Sequence, residues 1–338
     1  MFSSNNLSIP GSLSNSYFPQ LDGLRGVAIT TVLISHYIFN YSLKYYDIGN
    51  IGVETFFVLS GFLITTLILK EKIKQGTVSL KRFYIRRALR ILPVAYLFLL
   101  VLLFLNYIFK LNISSGSFFA SIFYVRNFHY KYDDSWANGH FWTLAVEEQF
   151  YILFPILIVH SLKNYIRLIF LIIFSVPLLV YVGFHNIGIF YSNYLIHKIT
   201  FLCINLFRYG TVSILVGSLL SILMFKKIMP TEVKNSNRYL SFFLFLFAAF
   251  FRMTLVGVLG FYINSLLFSV IVALIIYLTL VNSGDFLGTL LKNKWLVHFG
   301  VLSYSVYIWQ QIFLYRQPWD NTFKYSNSLI FSWFNSSF

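Results

Sequence analysis

Leu21 to Tyr37 reads LDGLRGVAITTVLISHY, an apolar run that opens on Asp22 and Arg25 and carries His36 near its far end. Read as a helix, it sets Arg25 and His36 eleven residues apart, close to three whole turns, so both fall on one face. At about 1.5 Å per residue they are roughly 16 Å apart along the axis. In a hydrocarbon core about 30 Å thick, an arginine at one surface puts that histidine near the midplane. An ionisable side chain at that depth is expensive and marks a functional site.

The rest of the chain supports a membrane reading. Of its 338 residues 58% are hydrophobic and only 11% charged, and the mean hydropathy is +0.71. Soluble domains carry about 25% charged residues. Repeated apolar runs predict an all-α integral membrane protein, a polytopic bundle of about nine to ten transmembrane helices. The formal net charge of +15 reads as the Lys and Arg of cytoplasmic loops, with the lipid bilayer as partner and no nucleic acid. Cys203 is the single cysteine, so no internal disulfide forms and a packing role is expected. No spacing of His, Cys and acids stands out as a metal site, and no Walker-type phosphate loop occurs.

Residues 1–20, rich in Ser and Asn and without Lys or Arg, read as a poorly ordered polar lead-in, not a cleavable signal. Spans are expected at 27–41, 51–69, 93–109, 140–160, 166–184, 199–225, 239–256, 260–281 and 296–315. Asp47 to Asn50 read as a turn, and Ser60-Gly61 as a kink or a close helix approach. Between Lys70 and Arg90, eight Lys and Arg oppose one acid, Glu71. The positive-inside rule puts this loop, Arg25 and the N-terminus in the cytoplasm. The stretch 112–139, with Asp133 and Asp134, is expected outside, and 117–125 as a re-entrant or partly buried helix. The transmembrane domain covers 21–320, and 321–338 is a tail too short to span.

Several side chains stand out against this apolar background. Glu147 and Glu148 enter the 140–160 run early, and Glu54 lies near the outer end of the 51–69 run. Arg208 and Arg252 are charges at membrane level with no partner legible in the sequence. Each has a bland alternative. His36 can be a packing histidine bonded to a neighbouring helix, Arg25 a snorkelling interfacial arginine, and Trp142 an ordinary belt residue.

Five segments, in order, resemble the membrane acyltransferase-3 family: LDGLRG followed by His36, GVETFFVLSGFLI (Gly52 to Ile64), RRALRILP (Arg86 to Pro93), HFWTLAVEEQFYILFP (His140 to Pro155) and GVLSYSVYIWQ (Gly300 to Gln310). The resemblance implies an enzyme of about ten spans in a bacterial inner membrane. Such an enzyme moves an acyl group, most often acetyl from acetyl-CoA, to a hydroxyl of lipopolysaccharide, capsule, exopolysaccharide or peptidoglycan. It also implies no tightly bound cofactor, an acyl-CoA donor and a carbohydrate acceptor. The chain departs from the family pattern in two places. Gln310 stands where the family usually has His, and the usual last span is missing. No appended hydrolase-like domain is seen, so a stand-alone membrane unit is expected.

Acyl transfer needs a base, an oxyanion stabiliser and a donor site. An imidazole of ordinary pKa, about 6.5, is largely neutral at pH 7. His36 can therefore deprotonate the acceptor hydroxyl, or carry the acyl group itself as an acyl-imidazole. Glu147 is the expected second catalytic residue, able to orient His36, bind the acceptor or move a proton. Arg25, held by Asp22 three residues earlier, suits a phosphate. Arg86, Arg87 and Arg90 form either a dock for the CoA phosphates or an ordinary basic loop. Glu148 and Trp142 are expected at the acceptor. The rival class is a transporter or flippase relaying protons through His36, Arg25 and Glu147. An inactive scaffold is the third reading.

Overall fold

A computed structural model describes residues 7–37, 46–128, 136–184, 188, 192–207, 210–231, 237–254 and 261–314. Arg208, Asp133, Asp134 and the tail 321–338 lie outside the described residues. Among those described, all regular structure is helical: α1 (Pro19–Tyr37), α2 (Tyr46–Gln75), α3 (Leu80–Phe109), α4 (Ser115–Ile122), α5 (Phe141–His160), α6 (Leu162–Phe184), α7 (Tyr194–Phe207), α8 (Thr211–Phe225), α9 (Leu240–Thr254), α10 (Phe261–Val281), α11 (Phe286–Leu291) and α12 (Lys294–Trp309). Four segments among the described residues are long and apolar enough to cross a membrane: Ile48–Gln75, Leu80–Phe109, Phe141–His160 and Ile263–Val281. The helices in Tyr194–Cys203, Thr211–Phe225 and Leu240–Arg252 are apolar but shorter. Leu100, Leu103 and Phe104 on α3, Leu171 and Phe174 on α6, and Phe243 and Phe250 on α9 stand exposed. In water such a surface aggregates; in lipid it faces its solvent.

Glycines and hydroxyls set how closely the helices pack. A Cβ on Gly26 of α1 would overlap the carbonyl oxygen of Leu296, and one on Gly300 of α12 would overlap that of Asp22. These two helices run parallel with their backbones nearly touching. The α2–α8 pair repeats the device, Gly61 meeting the Ile214 carbonyl and Gly217 that of Val58. Gly61 thus serves a close approach, and α2 runs unbroken through it. Thr65 bonds Ser218 at 2.7 Å, Thr66 bonds Ser221 at 2.9 Å, and Tyr165 of α6 also reaches Ser218 at 2.7 Å. Without a hydrophobic force between helices in lipid, close packing and such polar bonds hold a bundle together.

Several expectations are corrected. The span expected over 199–225 is two helices, because the chain breaks before α8 at Gly210, whose φ of 73° only glycine adopts freely. The basic segment is no long loop. α2 continues to Gln75, α3 begins at Leu80, and Ser79 caps α3 by accepting from the Arg82 amide. Pro93, taken as the start of a span, lies inside α3. Asp47 to Asn50 belong to the start of α2 rather than to a turn. The partly buried outer helix is present as α4, with Ser117, Phe118, Ala120 and Ser121 buried.

The lead-in is also folded where it is described. Leu13 is fully buried, Gly11–Leu13 form a 3-10 turn, and the Ser8 amide donates to the carbonyl of Phe225 at the end of α8 (3.1 Å). Lys70 of α2 donates to the Asn15 carbonyl at 2.6 Å and rests 4.9 Å from the Phe18 ring centre. Residues 7–18 thus form a strap lying from α8 to the start of α1.

Candidate active site

The strap, α1, α2, α3, α5 and α12 enclose one cavity of about 740 Å³. Val53 and Gln75 of α2 both line it. Their separation of twenty-two residues makes it about 33 Å long along that helix. One end is basic. Arg25 comes from α1, and Arg86, Arg87 and Arg90 come from α3 with Lys70 from α2. The two acids among them are already in ion pairs, Asp22 with Arg25 at 3.6 Å and Glu71 with Arg86 at 3.5 Å. The Arg87 guanidinium covers the Tyr151 ring at 4.3 Å. Arg90 feels the charges of Arg25 and Arg87. Such an excess of guanidinium groups suits phosphate, which they bind with two parallel hydrogen bonds.

The other end carries one carboxyl among hydroxyls. Ser60 donates to Glu147 Oε1 at 2.7 Å. Thr143 and Tyr307 bond through their hydroxyls at 2.9 Å, and the Tyr304 hydroxyl donates to the Ile91 carbonyl at 2.8 Å, tying α12 to α3. Ser303 lines the cavity too, and its hydroxyl is buried with no hydrogen-bond partner among the described residues. Ser303, Tyr304 and Tyr307 follow at i, i+1 and i+4, so one side of α12 presents them together.

His36 does not line this cavity. Its Nδ1 lies 3.2 Å from Gln310 Oε1, and the neighbouring Tyr37 hydroxyl donates to the Gln310 carbonyl at 3.2 Å. Gln310 is three residues beyond Tyr307, so His36 stands about one turn past the cavity's inner end. His140 also packs at that end, its ring 5.7 Å from Tyr307 and 5.3 Å from Phe98.

The structure therefore gathers Asp22, Arg25, Arg86, Arg87, Arg90 and Glu147 around one space, and sets His36 beside it. Glu148 and Trp142 do not line that space. Glu148, about 100° further round α5, exerts its charge on Tyr124, while Trp142 packs against Phe57 at 6.1 Å between ring centres. Arg252, the membrane-level charge without a legible partner, is fully buried and pairs with Glu54 at 3.0 Å and with Asn264 at 2.9 Å. Sequence reading passed over Ser303, Tyr304, Tyr307, Thr143 and the strap. The hydroxyl stripe on α12 was visible as spacing; nothing marked the strap.

A family model described as an acyltransferase domain matches residues 18–333. The chain belongs to the acyltransferase-3 family. With its long apolar helices, family membership makes it a multi-pass membrane protein. Among relatives of this acyltransferase domain, a Staphylococcus aureus (strain COL) protein provisionally named an O-acetyltransferase is 32% identical over 325 residues. That match covers 87% of this chain and 50% of the relative. The peptidoglycan O-acetyltransferase OatA of Listeria monocytogenes is 36% identical over 162 residues, 44% of this chain and 25% of that protein. The O-acetyltransferase OatA of Staphylococcus aureus (strain NCTC 8325 / PS 47) is 35% identical over 188 residues, 51% and 30%. The chain spans about half the length of the first of these curated relatives. No solved structure matches it.

Proposed function

We propose that this acyltransferase is an O-acetyltransferase that takes acetyl from acetyl-CoA on the cytoplasmic side and places it on a hydroxyl of a cell-surface polysaccharide. The observation that carries the reading is the cavity: phosphate-binding chemistry at one end, a carboxyl and hydroxyls at the other, and a histidine one turn beyond. The names of relatives add O-acetyl transfer, and one of them adds peptidoglycan as an acceptor. The basic end and the N-terminus face the cytoplasm by the positive-inside rule. The remaining apolar helices bring the spans to about nine or ten.

In this reading Arg25, Arg86, Arg87 and Arg90 hold the donor phosphates, and Asp22 holds Arg25. The thioester reaches the hydroxyl-lined end. Gln310 Oε1 can only accept, so it fixes the proton on Nδ1 of His36 and leaves Nε2 basic. Two routes balance. In one, Nε2 takes the proton of the acceptor hydroxyl as its oxygen attacks the thioester carbon, and the C–S bond breaks to release CoA thiolate, which is then protonated. In the other, Nε2 attacks the thioester carbon first and the C–S bond breaks to release CoA thiolate; Glu147 then takes the proton of the acceptor hydroxyl as its oxygen displaces the imidazole from the acyl carbon, and that proton passes to the thiolate. Ser303 offers the free hydroxyl for the carbonyl oxygen. Glu147, oriented by Ser60, handles the proton. Glu148 and Trp142 act on the acceptor side. Membership of an acyltransferase family favours transfer over the transporter reading.

Mass spectrometry of surface polysaccharide from cells expressing wild type or His36→Ala, at matched membrane levels, tests the reading. One added acetyl group in the wild type alone is expected. A gain in both removes His36 from the centre. A gain in neither, with acceptor present, overturns the enzyme.

A further inference from the structure

The proposed donor site accounts for the arginines but not for the strap, whose residues Ser16, Tyr17 and Phe18 also line the cavity. A polar lead-in has no physical need to be fixed there, yet it is held at several points. Leu13 is buried, the Ser8 amide is bonded to the end of α8, and Asn15 and Phe18 are held by Lys70. Tyr17 lies beside Asp22, the same carboxylate that pairs with Arg25. The ring is thus set in place at the mouth while 54% of the residue stays exposed. A fixed, accessible aromatic face beside a cluster of guanidinium groups is what a nucleotide needs: charge for its phosphates and a stacking surface for its base.

We propose that the strap is part of the donor site, with Tyr17 forming a stacking platform for the purine base of a nucleotide-bearing thioester. The inference rests on the acyl-CoA reading above and deepens it. The order along the cavity agrees. The hydroxyl-lined end takes the thioester, and Tyr17 lies at the basic end, beside the Asp22–Arg25 pair and next to Phe18, which Lys70 holds. Tyr17 is a binding residue here and takes no part in the chemistry.

Binding to the purified full chain in lipid nanodiscs is the test, with CoA and 4′-phosphopantetheine, which lacks the adenosine, as probes. Wild type is expected to bind CoA more tightly. Tyr17→Ala is expected to weaken CoA about tenfold and to leave 4′-phosphopantetheine unchanged. Tyr17→Phe, which keeps the ring, is expected to retain most of the CoA affinity. Equal weakening of both probes by Tyr17→Ala, or of neither, overturns the platform while the donor reading stands. So does a wild type that binds both probes equally. A wild type that binds neither overturns the donor reading, and the platform with it.

Discussion

At His36 the neighbouring residue decides which nitrogen can work. Gln310 occupies a position where the resemblance led us to expect histidine, yet its amide oxygen makes the contact to Nδ1. Truncating it to Ala leaves the ring free to rotate; transfer is expected to lose about 10- to 100-fold in kcat with donor KM little changed. Ser303→Ala is expected to show the same split in steady-state assays, because a donor to the developing oxyanion acts in the transition state. A rise in KM alone would remove either residue from the chemistry. Glu54 and Arg252 pose a different question. Their pair is buried and outside the cavity, so removing one partner strands a charge. Glu54→Gln or Arg252→Met is expected to cost about 3–5 kcal/mol, read as a lower thermal midpoint in detergent. The double replacement by Leu and Met is expected to recover part of the loss.

At the scale of elements, contact between backbones positions the site. Gly26 and Gly300 let α12 lie against α1, which brings Ser303, Tyr304 and Tyr307 level with the cavity and Gln310 beside His36. Gly61 and Gly217 do the same for α2 and α8. A methyl group at Gly61 meets backbone that cannot turn aside, so Gly61→Ala is expected to destabilise by about 1–3 kcal/mol or more. Gly11→Ala has open space around it and is expected to be silent. Size-exclusion profiles of the detergent-solubilised variants separate the two. Equal profiles would show that the helices can part without loss.

For the whole molecule, orientation is the open quantity. With Cys203 changed to Ser, a cysteine at Gly76, in the connection between α2 and α3, is expected to react with a membrane-impermeant thiol reagent only after permeabilisation. Labelling of intact cells would invert the bundle and move the basic end of the cavity outside.

The sequence by itself determined that the chain is helical, lipid-facing and charged at a few places. Apolar run length and charge position are local properties, legible one segment at a time. It also determined that Arg25, Arg86, Arg87, Arg90 and Glu147 were worth watching, because a charge within or beside an apolar run has few uses. Only the tertiary structure decided which of them share a space. The Glu54–Arg252 pair joins residues 198 apart, and the contact of His36 with Gln310 joins residues 274 apart. Those pairings follow from where glycines let helices touch, and no periodicity within one helix reports its partner. The strap was illegible for the same reason. Its polar composition describes a chain that water can solvate, while a buried Leu13 and a lysine from α2 decide that it folds.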